Sequence, residues 1–326
     1  MLFRSLAFTI LFLNLLAGLS AWAQEALAIG LKGPVHSVLT EEFTSEGGVH
    51  REPSGSVLEI YDREGYQLDV YRYKPDGSIW VHTVIDRKGP LVSRMQVTGT
   101  PPFESSSTQN VFDARGRVIE TDRYDANGVL VSKSKGEFVD DQPNSSSYSH
   151  TESNADGIES MEEISETTDP KTGITHQVET RNGKPQTDWV TQRNPDGTAK
   201  DKIVYADGSY NEREQRSDGT TVEDRYSALT KSHTYQKSDA QGHLIEVIEE
   251  SDTQYIRCTY SFDKDGHSTG QINYDAAGNV LDKSTAEYRN DSHGNWVEKK
   301  TIVWETKAEP MQPKIVQTTL RTINYY

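Results

Sequence analysis

Apolar and polar residues alternate at period two along short segments of this chain, most clearly over residues 66–70, 79–85 and 296–304. Successive side chains of a β-strand point to opposite faces, so this alternation predicts strands of six to eight residues or so. Residues 244–249 carry apolar side chains at both parities, which predicts some apolar area on both faces of that strand. No amphipathic helix is predicted after the first 23 residues.

Turn signals separate these segments at a spacing of about 12 residues, which fits one strand and a tight turn but not a helix and a strand. An aromatic residue followed by Asp, two variable residues and Gly recurs. Asp can accept a hydrogen bond from a backbone N–H two residues on, and Gly supplies the left-handed backbone that such a turn requires. The turn residues of the five best copies are Asp62 and Gly65, Asp113 and Gly116, Asp125 and Gly128, Asp263 and Gly266, and Asp275 and Gly278.

Consecutive hairpins of this kind predict an all-β fold, an extended and twisted antiparallel meander of roughly 15–20 short strands that can curl into an open trough. Residues 24–326 are expected to form one elongated domain. Within it, residues 140–200 are degenerate and polar, with a loop-rich composition. Nine acids and a single Lys, Lys171, lie between residues 140 and 173, where solvated strands are favoured over one long loop.

Residues 1–23 have the composition of a secretory signal. Arg4 precedes the apolar residues 6–16, and Ala21 and Ala23 occupy the two positions that a signal peptidase reads. The apolar stretch is shorter than the 20 or so residues that a membrane-spanning helix needs, and no second one follows. We therefore expect cleavage after Ala23, and a mature chain without a membrane span in the periplasm, at the cell surface or outside the cell.

The charge balance excludes some partners. The chain has 34 basic and 50 acidic residues and a formal net charge of −16, which does not suit nucleic acid, because binding phosphates requires Lys and Arg. The single cysteine, Cys258, allows no internal disulfide and is expected to be a buried structural thiol.

The repeated phrase resembles the YD repeat of the bacterial RHS family. Residues 30–38, 290–296 and 321–326 are also similar to the openings and endings of small exported bacterial proteins that carry such repeats. This resemblance implies the strand-turn unit and an exported or cell-surface location. It is also a weak indication of carbohydrate binding. The chain lacks the Gly-Arg-Leu ending of the fuller repeat, the protease-like core segment and the variable toxin tip of large RHS proteins.

No residue pattern predicts catalysis, a cofactor or a metal site. None of the nine His residues has zinc-ligand spacing, and no nucleophile elbow or phosphate-binding glycine loop is present. Residues 263–266 resemble the start of a calcium loop, but its later ligands are missing and a plain hairpin turn is favoured. Adjacent acids such as Glu162 and Glu163 would be split between the two faces of a strand.

The tryptophans Trp80, Trp189, Trp296 and Trp304 could form a sugar-stacking face, although covering one buried sheet face is the favoured role. We expect a non-enzymatic binding or scaffold protein whose partner is a glycan or a surface or periplasmic protein. One alternative is a carbohydrate-active enzyme, which needs two carboxylates about 5–10 Å apart. The other is an orphan component of an RHS-type toxin or immunity system.

Overall fold

The computed structural model describes residues 31–46, 49–50, 55–100, 105–142, 145–154, 159–305 and 312–326, so the proposed signal of residues 1–23 lies outside the described residues. The all-β prediction is confirmed, and strands also occupy most of residues 140–200. The strands are β1 Val35–Glu46, β2 Val49–His50, β3 Ser56–Tyr61, β4 Gln67–Tyr73, β5 Ile79–Lys88, β6 Leu91–Gly99, β7 Ser106–Phe112, β8 Val118–Tyr124, β9 Leu130–Gln142, β10 Ser145–Asn154, β11 Glu159–Thr168, β12 Ile174–Arg181, β13 Lys184–Arg193, β14 Ala199–Tyr205, β15 Tyr210–Gln215, β16 Thr221–Ser227, β17 Ser232–Ser238, β18 Leu244–Glu250, β19 Tyr255–Phe262, β20 Ser268–Tyr274, β21 Val280–Asn290, β22 Trp296–Glu305 and β23 Gln312–Tyr325.

The sheet closes into a ring, so the predicted open trough is wrong. Each strand from β3 to β23 pairs antiparallel with the next, and β1 pairs with both β3 and β23, while the two-residue β2 pairs with β1 alone. Val38 of β1 thus lies opposite Glu59 of β3 on one side and Ile323 of β23 on the other. The result is a closed barrel of 22 strands.

Strand spacing sets the size of this ring. With neighbouring strands about 4.8 Å apart and tilted by about 35–45°, 22 strands enclose a ring roughly 40 Å across between opposite backbones. Among the described residues, extensive contact between strands is limited to hydrogen-bonded neighbours. The described strands therefore leave a wide lumen between them.

The hairpin turns form as the Asp and Gly positions require. In the first copy, the Gly65 N–H donates to the Asp62 carbonyl at 3.1 Å and the Asp62 N–H to the Tyr66 carbonyl at 2.9 Å. Gly65 has φ +88°, a left-handed conformation that only Gly adopts at little cost. The register slips by one residue just before the turn, between Ile60 and Tyr61, and this bulge sharpens the bend.

The two faces of the wall differ in exposure. Along β11, residues 160, 162, 164 and 166 are half-buried, whereas residues 161, 163, 165 and 167 are exposed. Cross-strand register places the first set on the face of Val38 and the second on the face of Leu39. A concave surface is less accessible than a convex one, so we name the face of Val38 the inner face and that of Leu39 the outer face.

A packed core occurs only where the ring closes, among the described residues. We call this region the seam: the start of β1 and the end of β23, together with the residue stretch just before β1 and the turn between β21 and β22. Val38 is 0% exposed there and Leu31 is 2% exposed. The buried cluster consists of Leu31, Val35, Val38 and Tyr61, with Ile323 and Tyr325 packed against it.

Asn295 fastens the seam. Its Oδ1 accepts from the Lys32 N–H at 2.5 Å, and its Nδ2 donates to the Lys32 carbonyl at 2.8 Å and to Tyr325 Oη at 2.7 Å. Tyr325 Oη donates in turn to Asp291 Oδ2 at 2.5 Å. The opening and closing residues that the sequence singles out therefore meet at one place, apart from Gly30, which lies outside the described residues.

Candidate functional site

The four tryptophans do not share a face. Register and alternation place Trp80 and Trp304 on the outer face, and Trp304 Nε1 donates to Thr285 Oγ1 at 3.0 Å. Trp189 lies on the inner face opposite Ile203. A register slip beside the turn brings Trp296 inward as well, where the Arg321 guanidinium lies 3.6 Å from its ring centre. Trp296 and Trp304 are eight residues apart along β22, and this even spacing alone predicts one shared face because it does not reveal the slip.

The inner face of β10 to β13 brings together the ionisable side chains of the best candidate site, which we call the carboxylate cluster: His150, Glu162, Glu179, Arg181 and Thr187. Glu162 of β11 lies opposite His150 of β10 and Arg181 of β12. Its carboxylate oxygens are 3.7 Å from His150 Nδ1 and 3.4 Å from Arg181 Nε. Glu162 is thus held between two potential cations.

Glu179 is the second carboxyl group of the cluster. It lies two residues before Arg181 on β12, and its Oε2 accepts from Thr187 Oγ1 at 3.1 Å. Ile164 is its partner on β11, which makes Glu179 the diagonal neighbour of Glu162. The Cα atoms of diagonal pairs on neighbouring strands are about 7–8 Å apart, so the two side chains lie side by side on the inner face.

The two carboxyl groups have opposite pKa shifts. The hydrogen bond with His150 and the charge of Arg181 hold the pKa of Glu162 below its ordinary value, against the opposing effect of burial. Burial raises the pKa of Glu179, and the negative charge of Glu162 adds to this, although the Thr187 hydrogen bond opposes it. One carboxyl therefore stays ionised more readily than its neighbour, a pattern typical of sites where a proton is held and moved.

Further along the inner face, β13 to β15 contain buried polar atoms whose hydrogen-bonding capacity is unused. Trp189 Nε1, Asp201 Oδ1 and Asn211 Oδ1 are buried atoms without a hydrogen-bond partner among the described residues. Asn211 also hydrogen-bonds Glu223, whose pKa falls below its ordinary value because this bond and Arg225 together outweigh burial. Unsatisfied buried donors and acceptors are uncommon in folded proteins and call for a partner.

The sequence predicts part of this site. The adjacent acids Glu162 and Glu163 are expected on opposite faces, and register places Glu162 inward and Glu163 outward. The true neighbour, Glu179, lies across the hairpin of β11 and β12. Pairing the two strands about the turn at Asp169 would have revealed the diagonal.

Other chemistry-bearing groups are engaged in structural roles. Ligand atoms of Asp263, Asp265 and His267 lie within 4.8 Å of one another, but Asp263 Oδ1 accepts the backbone N–H groups of both other residues, as a hairpin turn requires. Cys258 is 7% exposed, and burial raises the pKa of its thiol. It is a structural thiol and not an activated nucleophile.

The depressions in the wall lie on the outer face. One of about 500 Å³ includes Lys135, Glu137, Ser149 and Thr151, which share that face. Among the described residues, no helix is long and apolar enough to cross a membrane.

No protein-family model and no curated protein matches the chain. One solved structure, described as a porin-like protein from Bacteroides uniformis ATCC 8492, is 10% identical with a TM-score of 0.35. The alignment covers 90% of this chain and 98% of that protein's chain. Similarity at this level does not establish a shared function.

Proposed function

We propose that this protein is an exported, non-enzymatic binding ring that holds a glycan against its inner wall. The observation that carries the proposal is the continuous inner surface from His150 to Asn211, which combines an indole ring with charged donors and acceptors. Polyhydroxylated ligands are recognised by apolar rings together with a few fixed polar groups. Arg181 and Asn211 can donate to hydroxyl oxygens, while Glu179 and Asp201 can accept from hydroxyl groups.

The outer face supports a ring with water on both sides of its wall. Charged pairs cross neighbouring strands there, with Lys133 Nζ 2.6 Å from Glu120 and Lys200 Nζ 2.7 Å from Glu212. Arg257 Nε is likewise 2.6 Å from Glu246. Barrels that cross a lipid bilayer carry an apolar band on this face, and such charges are costly in lipid.

A glycan array with the full mature chain tests the proposal. Trp189→Ala should lower binding at least tenfold, because it removes the aromatic ring from the inner wall. Trp304→Ala is the matched control on the outer face and should bind as the wild type does. If the wild-type chain binds no glycan but captures a periplasmic protein through the same inner residues, the glycan ligand is wrong. The proposal of a binding ring would then still stand.

Glycoside hydrolysis is the second candidate, favoured by the opposite pKa shifts of Glu162 and Glu179. Their backbone positions, about 7–8 Å apart, are compatible with the carboxyl separation of inverting glycosidases. Glu179 would give its proton to the leaving oxygen as the glycosidic bond breaks. Water would add to the anomeric carbon and pass its proton to Glu162.

A panel of aryl glycosides separates hydrolysis from binding. If the protein is an enzyme, Glu179→Gln and Glu162→Gln should each abolish turnover while Glu163→Gln, on the outer face, retains it. The absence of wild-type turnover on substrates that the array shows to bind would eliminate this candidate.

A further inference from the structure

The inner wall beside the seam carries a second group of side chains, which we call the basic cluster: His267, Tyr288, Trp296, Lys299 and Arg321. Tyr288 of β21 lies directly opposite Lys299 of β22, and Lys299 Nζ is 5.9 Å from the Tyr288 ring centre. The Tyr288 ring stacks on His267 at 4.7 Å and meets the Trp296 ring edge-on at 6.1 Å. The basic cluster is therefore a row of aromatic rings with two basic side chains beside it.

Arg321 has no acid partner, unlike two other arginines that lie over aromatic rings. Arg117 Nε is 2.8 Å from an Asp113 oxygen, and Arg257 Nε is 2.6 Å from a Glu246 oxygen. Among the described residues, no carboxylate forms a hydrogen bond or an ion pair with Arg321, and its Nε is a buried atom without a hydrogen-bond partner. The charge of this guanidinium is thus not neutralised by a neighbour.

The missing partner leaves the Arg321 guanidinium free to bind a ligand. Burial lowers the pKa of Arg321, and the negative charge of Glu59 offsets only part of this effect. Glu59 lies on β3, two strands away, and its carboxylate accepts from Gln67 Nε2 at 2.8 Å. A half-buried cation without an acid is costly, and an anionic group that binds it recovers part of that cost.

We propose that the basic cluster binds the acid group of a sugar, so that the glycan held by the inner wall is an acidic one. This inference rests on the proposed glycan binding and names the class of glycan. The N–H groups of a guanidinium fit the paired oxygens of a carboxylate or a sulfate. Lys299 lies diagonal to Arg321 on the neighbouring strand and adds a second positive charge, while Tyr288 and Trp296 provide adjoining apolar surface for the sugar ring.

Other ligand classes fit the basic cluster less well. A neutral glycan would leave the charge of Arg321 unpaired. A nucleic acid offers many phosphates, whereas the cluster has two basic side chains, which suit a single acid group. The formal net charge of −16 does not prevent such binding, because exposed charges more than about 8 Å apart are largely screened at physiological salt.

Isothermal titration calorimetry of the full mature chain tests the basic cluster. The probes are hexagalacturonate, its carboxyl-reduced neutral form and a sulfated galactan oligosaccharide. We expect the wild type to bind one or both acidic probes at least tenfold more tightly than the carboxyl-reduced one. This affinity should fall as NaCl is raised from about 50 to about 500 mM, because salt screens the two charges.

Matched variants assign the binding to the cluster. Arg321→Gln should weaken the acidic probe at least tenfold. Lys299→Gln lies outside the packed core and should weaken it at least threefold, so the test remains valid if Arg321→Gln does not fold. Arg257→Gln is the control, since Arg257 also lies over a ring but is on the outer face, and it should bind as the wild type does. Circular dichroism must give the same strand content for all proteins compared.

Three outcomes would overturn the basic cluster as the site. The first is equal affinity for the acidic and carboxyl-reduced probes, and the second is equal weakening by Arg257→Gln. The third is unchanged binding in folded Arg321→Gln and Lys299→Gln. If neither acidic probe binds while neutral glycans bind through Trp189, the acidic class is wrong and the binding ring stands. If no glycan of any kind binds, the glycan proposal fails as well.

Discussion

The seam and the rest of the wall are built from the same repeated unit but are held together differently. Away from the seam, a hairpin rests on hydrogen bonds to its two neighbours and leaves both faces partly exposed. At the seam, the residues before β1 cover the inner side of the sheet, and Val38 and Leu31 become fully buried. Of the seven buried apolar residues in the described part of the chain, four lie where the first and last strands join.

Equivalent positions in different hairpins make this contrast measurable. Asn279 and Asn295 each end an Asp turn, and Asp275 and Asp291 each begin one, but only the second of each pair lies in the seam. Any difference in unfolding free energy between matched variants therefore comes from the contacts of the seam and not from the turn.

The largest effect is expected for Asn295→Ala. It leaves the Lys32 N–H and carbonyl and the Tyr325 hydroxyl without their partner in a buried site, at a cost of about 2–3 kcal/mol. Asn279→Ala removes only an exposed bond to Asp275 and should cost less than about 0.5 kcal/mol. Urea unfolding of both variants gives the comparison, and equal losses would mean that the seam adds no stability.

A smaller effect is expected for Val38→Ala. Val38 and Val70 both lie on the inner face directly opposite Glu59, Val38 on β1 and Val70 on β4. Removing two methyl groups from the fully buried Val38 should cost about 1.5–2.5 kcal/mol. Val70→Ala, at a half-buried position, should cost less than about 1 kcal/mol. A larger loss at Val70, measured by urea unfolding, would place the core elsewhere.

Acid should weaken the seam through Asp291. Burial raises the pKa of Asp291, but hydrogen bonds from Tyr325, Asn295 and His293 more than offset this and leave it below the ordinary value. Because the folded pKa is lowered, the stability from its ionised form is complete above about pH 4 and is lost as pH falls through the folded pKa. The stability gap between wild type and Asp291→Asn should thus be present at pH 7 and smaller at pH 3; a gap that widens in acid would contradict this.

The smallest difference is expected between two turn glycines. Gly278 and Gly294 have φ of +82° and +81°, so Ala at either should cost about 1 kcal/mol in backbone strain. An added Cβ at Gly294 would meet Lys32 Nζ at 3.3 Å, but this ammonium is the mobile end of a long side chain. Thermal unfolding should show nearly equal losses. A much larger loss at Gly294 would assign part of the seam's stability to this contact.

Local structure was predictable from the sequence, and closure was not. The period-two pattern and the Asp and Gly positions are local signals, so they predict strands and turns such as that at Gly65. Closure depends on twist and tilt summed over 22 strands, and pairs such as Val38 and Ile323 leave no local signal. The ring has 22 strands, more than the expected 15–20.

The candidate site was predictable in part, for the same reason. Alternation correctly separates Glu162 from Glu163, but it says nothing about the next strand. The approach of Glu179 depends on the cross-strand register, and the inward turn of Trp296 depends on a one-residue slip at Asn290. Both are set by hairpin geometry, which composition and parity do not encode.

Because β1 pairs with β23, the barrel cannot close until the last strand has been synthesised. Strand β1 is synthesised first but keeps one unpaired edge until β23 follows, almost 300 residues later. During that interval the nascent sheet has an unpaired strand edge at each end, which favours aggregation or capture by chaperones. A chain that ends before β23 would keep both of these edges unpaired, and unpaired strand edges are sites of aggregation.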